Sequence, residues 1–83
     1  MTDQTTAERF RIFLVCSTST ILNEIAAGAT QPMVAKTYSL ALRSEAAGQD
    51  TPDWTRINRA IITRWSMSGL ERVKKMAWRE LGA

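Results

Sequence analysis

Residues 54–65 read Trp54-Thr55-Arg56-Ile57-Asn58-Arg59-Ala60-Ile61-Ile62-Thr63-Arg64-Trp65, and their periodicity decides the fold class. Trp54, Ile57, Ile61 and Trp65 recur at offsets of three, seven and eleven, with Asn58 and Ile62 beside them, which is the spacing of one face of an α-helix. Arg56, Arg59 and Thr63 fall on the opposite face. The stretch is an amphipathic helix. Just before it, Gly48-Gln49-Asp50-Thr51-Pro52 is turn chemistry, and Thr51 as cap with Pro52 in the first helical position predicts a helix over 52–65. Just after it, Ser66-Met67-Ser68-Gly69 reads as a short break. Ser68-Gly69-Leu70-Glu71 then has the form of a capping box and predicts a helix over 69–81, with Leu70, Val73, Ala77 and Leu81 on one face.

Two further helices precede this pair. Thr30-Gln31-Pro32 predicts a start and Gly48 a stop, giving a helix over 32–47. Val34, Tyr38, Ala41 and Leu42 line one of its faces and Met33 and Leu40 a second, so it is expected to be central and covered on two sides. Thr5-Thr6-Ala7-Glu8 is another capping box. From it a helix over 6–27 carries Phe10, Phe13, Leu14, Ile21, Leu22 and Ile25, and Gly28 ends it. Ser17-Thr18-Ser19-Thr20 competes with this helix by side-chain bonding to the backbone, which predicts either a kink at 17–20 or two shorter helices. A strand over Arg11–Cys16 is the alternative for that segment. The expected fold is therefore all-α: a compact four-helix domain, 1–83, in which short connections favour antiparallel neighbours in a bundle or an orthogonal packing.

Composition agrees with a folded chain. Hydrophobic residues make up 45% and charged residues 23% of the 83 positions, unlike a disordered sequence. A domain this small buries only about 60% of the surface of its unfolded chain, so self-association is an open expectation. The chain has one cysteine and no histidine, which rules out an internal disulfide and the usual zinc-ligand sets and favours a reducing compartment. Met1 to Glu8 lacks a basic signal stretch and the apolar run Ile12–Cys16 is too short to span a membrane, so a cytoplasmic location without membrane attachment is expected.

The same residues argue against catalysis. The commonest proton shuttle at neutral pH is missing, and Cys16 has no base near it in sequence and is expected as a small buried side chain. Asp50 and Asp53 suit a turn and a helix start better than a cation. There is no glycine-rich phosphate loop. No cofactor, metal or enzymatic role is expected.

Charge is distributed unevenly. Residues 1–53 carry four basic and six acidic side chains, whereas 54–83 carry seven basic (Arg56, Arg59, Arg64, Arg72, Lys74, Lys75, Arg79) against Glu71 and Glu80. A one-signed region attracts an anionic partner. Arg72, Lys75 and Arg79 lie opposite the apolar face of the last helix as Arg56 and Arg59 do on the helix before it, so the two stripes are candidate phosphate contacts. Lys74 falls near the apolar face, one turn before Trp78, with its stem expected along the core. Of three tryptophans, Trp54 and Trp65 follow the core stripe, while Trp78 is the candidate exposed anchor.

The segment Ile21 to Leu42, through Glu24-Ile25-Ala26-Ala27-Gly28-Ala29-Thr30-Gln31-Pro32-Met33-Val34-Ala35-Lys36, resembles the helix-turn-helix pattern of bacterial and phage repressors. Gly28, Gln31-Pro32 and Val34 carry the likeness; Glu24, where a small residue is usual, and Thr37, where a larger apolar one is usual, depart from it. The resemblance implies that Gln31, Lys36, Ser39 and Arg43 face DNA in the major groove. Two functions compete at this point. One is a small non-enzymatic nucleic-acid-binding or regulatory protein of bacterial or phage type using a basic C-terminal surface. The other is a protein-interaction module, such as a small phage-encoded inhibitor or adaptor, homo-oligomeric or not.

Overall fold

The computed structural model describes residues 17–82. The capping box at Thr5, the helix from Thr6, the strand alternative and Cys16 lie outside the described residues. Among the described residues the chain is all-helical, with α1 at Ser17–Ala26, α2 at Gln31–Ala46 and α3 at Trp54–Gly82. The four-helix expectation is thereby corrected to three. The helices expected over 52–65 and 69–81 follow one another without a loop and are counted as one kinked element, the break between them being a single residue: Ser66 has φ 70° and ψ 178°, and helix resumes at once. Between Ser17 and Ala26 the helix is uninterrupted, so the serine and threonine run is itself helical.

The turns follow the glycines closely. At Gly28 (φ 89°) the amide of Gly28 donates to the Ile25 carbonyl and that of Ala29 to the Glu24 carbonyl; at Gly48 (φ 70°) the same pair of bonds runs to Glu45 and Ser44. Both are the double bond that closes a helix through a left-handed residue. Thr30 is the N-cap of α2, where its hydroxyl accepts from the Met33 amide at a long 3.4 Å. Helix α3 starts two residues later than expected, since Asp53 rather than Thr51 provides its cap, accepting from the Arg56 amide at 3.2 Å.

Cross-helix bonds fix the direction of each element. The Asp53 amide donates to Thr18 Oγ1 (3.2 Å) and Arg64 to the Ile25 carbonyl (2.9 Å), so α1 runs in the same sense as the first half of α3. Trp54 Nε1 donates to Glu45 (2.9 Å) and the Tyr38 hydroxyl to Asn58 (3.0 Å), so α2 runs opposite to it. Beyond Ser66 the sense reverses: Arg72 donates to Gln31 (3.2 Å) and Arg43 to the Glu80 carbonyl (3.4 Å). Helix α3 thus doubles back along α2 at its serine corner. The core consists of Ile21, Val34, Ala35, Tyr38, Ala41, Ile57, Ile61, Leu70, Val73 and Ala77. Helix α2 is central, as expected, but not through Met33, which is 53% exposed. Its buried side chains are mostly small (Val34, Ala35, Thr37, Ser39, Ala41, Ser44), and that smallness lets its neighbours approach. The Thr37 and Ser39 hydroxyls are satisfied on the carbonyls of Met33 and Lys36 of the same helix.

Tyr38 is the chain's only tyrosine, buried with its ring 4.7 Å from that of Trp54. Burial raises its phenol above the usual 10.0; the bond to Asn58 partly opposes this, and the charges of Glu45 and Glu71 add to it. The folded state therefore favours the neutral phenol. That contribution to stability is complete below the unfolded value and is lost as pH rises through the folded one. The expected result is a tyrosinate absorbance midpoint above pH 10.0 in the native protein, with stability falling over the same range. Tyr38→Phe should flatten that fall; a midpoint at the denatured value would contradict the burial.

Candidate functional site

Three of the C-terminal cations meet at Trp78. Glu71, Lys74, Lys75, Trp78 and Arg79 line one shallow concavity on the second half of α3, and Trp78 is 59% exposed. These positions share a face because they recur at three and four residues along the helix, while Val73 and Ala77 point the other way into the core. Lys74 lines this concavity from a half-buried position one turn before Trp78. Trp78 also borders a second depression, with Leu42, Arg43, Glu45, Ala46 and Leu81. Its indole stands between a charged rim and an apolar one.

Not all of the sequence candidates gather there. Arg72 is engaged by Gln31 at the start of α2 and is not part of the concavity. Arg56 and Arg59 line a different groove, together with Leu22, Ile25, Ala26, Ala60, Thr63 and Arg64, between α1 and the first half of α3. Lys75 and Arg79 on the one hand and Arg56 and Arg59 on the other thus line separate depressions with no residue in common. The groove is not legible in the sequence because Leu22 and Ile25 fit a core stripe, and Ile25 does pack against the core while also lining the groove. The available signal was the pair of small residues Ala26 and Ala60, which leave room between the helices.

The four helix-turn-helix positions do not form one outward face. Lys36 and Arg43 are exposed, and Arg43 reaches the Glu80 carbonyl. Ser39 is only 4% exposed, with its hydroxyl on the Lys36 carbonyl, and Gln31 is held by Arg72. The tight turn is present at Gly28, but α2 is packed along Ala35 and Ser39 where a reading face would have to be open. At the departing position, Glu24 has one carboxylate oxygen, Oε1, buried without a hydrogen-bond partner.

Other chemistry is sparse. No group of three or more His, Cys, Asp or Glu among the described residues is placed to hold a metal ion. Asp53 caps α3 and Asp50 accepts from the Thr51 amide at 2.9 Å, which are turn and cap roles. No helix among the described residues is long and apolar enough to cross a membrane. The chain matches no family model, no curated protein and no solved structure.

Proposed function

We propose that this chain is a small, non-enzymatic nucleic-acid-binding protein of bacterial or phage type, acting in the cytoplasm through the Lys74, Lys75, Trp78 and Arg79 face of α3. The observation that carries the reading is the half-open indole of Trp78 set among three cations in one concavity, with Glu71 the single carboxylate there among the described residues. Cations neutralise phosphates, and an exposed ring offers a base a surface to stack on. The test is anisotropy of labelled duplex and single-stranded DNA and RNA at about 50 and 200 mM salt. If about three phosphates are neutralised, affinity is expected to drop roughly 20- to 40-fold across that range. A Lys75→Glu/Arg79→Glu variant should lose binding with its helix content intact. No binding at the lower salt would end the proposal.

The depression beside Trp78, with Leu42, Ala46 and Leu81, supports a second reading in which the same indole anchors a protein partner or a second copy of the chain. That association would tolerate the same rise in salt.

A further inference from the structure

We infer that the groove between α1 and the first half of α3 is a docking site for an acidic amphipathic helix of a partner protein, independent of the Trp78 face. Leu22, Ile25 and Ala60, each partly exposed, supply apolar surface to the groove, with Ala26 beside them. Arg56, Arg59 and Arg64 add three positive charges, and among the described residues no carboxylate lines it. One of these charges is already fixed in place: Arg64 donates to the Ile25 carbonyl at 2.9 Å and lies over the Trp65 ring at 4.4 Å. A preorganised guanidinium loses little freedom when a carboxylate arrives.

The chemistry selects the occupant. A phosphate backbone would use the arginines but gain nothing from the leucine and isoleucine beneath them. A helix with apolar residues at three- and four-residue spacing and carboxylates on its flanks satisfies both parts at once. The two helices that wall the groove run in the same sense, and positions 56 to 64 extend about 12 Å at 1.5 Å per residue, so roughly two turns of a guest helix fit. So small a contact is a weak, transient one.

The probe is a labelled 20-residue peptide with leucines on one helical face and glutamates elsewhere. Its control has the same composition with the leucines dispersed around the helix. The patterned peptide is expected to bind in the tens to hundreds of micromolar and the control at least tenfold more weakly, with amide shifts confined to residues 22–26 and 56–64. Arg56→Glu/Arg59→Glu should weaken binding at least tenfold, and so should Ala60→Trp, which fills the groove from a partly exposed position without removing a charge. Lys75→Glu/Arg79→Glu should leave it unchanged, so failure here is distinguishable from failure at the Trp78 face. Equal binding of the two peptides, indifference to both groove variants, or displacement of the peptide by an oligonucleotide that itself needs Arg56 and Arg59 would overturn the inference.

Discussion

Gly69→Ala is expected to destabilise the protein by roughly 2 to 4 kcal/mol, lowering the thermal midpoint by about 10 to 25 °C. Helix propensity alone gives the opposite sign, because alanine in a helix interior is favoured over glycine by about 1 kcal/mol. The difference lies in the corner. Beyond Ser66 the chain turns so sharply that a β-carbon on Gly69 would overlap the Trp65 Cβ, an atom fixed to the backbone that cannot step aside. Gly69 is buried, so the strain has no outlet to solvent. Thermal and urea unfolding followed by far-ultraviolet circular dichroism reads the effect directly. An alanine variant as stable as the parent, or more so, would mean that the helix does not cross itself at this point.

Ile61→Ala is expected to cost roughly 2 to 5 kcal/mol, because Ile61 is fully buried and its removal leaves a cavity that its neighbours fill only in part. The adjacent Ile62→Ala should cost clearly less, since Ile62 only packs against the edge of the same core. The pair is informative because residue type and helix are the same and only the face differs. Equal losses from urea unfolding would show that α3 is rotated from the register described here.

The stripe of Trp54, Ile57, Ile61 and Trp65, the stops at Gly28 and Gly48 and the start near Pro32 were all legible, because each is a local rule obeyed locally. The place of the break after Trp65 was legible too, but its form was not. Ser66-Met67-Ser68-Gly69 has the composition of a loop, and nothing in composition says that one serine takes a positive φ with an extended ψ while Gly69 continues as helix and leaves room for the close approach of Trp65. The cap of α3 was misplaced for a related reason: Thr51 and Asp53 both suit a cap, and which one serves depends on where the buried face of the helix must begin. At the surface, a helical wheel places Lys75 and Arg79 together correctly. It cannot foresee that Arg72 bonds to Gln31, nor that Arg56 and Arg59 sit beside Leu22, since both depend on a second helix.

The single-residue corner at Ser66 also makes chain length there a matter of angular phase. Each helical residue advances the side chains by about 100°. Deleting or inserting one residue at 67 or 68 would therefore swing Val73 and Ala77 out of the core and carry the Trp78 face a quarter turn or more around the axis. A loop absorbs such an indel by bulging. At the corner there is no slack, so core and basic face are locked to the same residue count and must be gained or lost together.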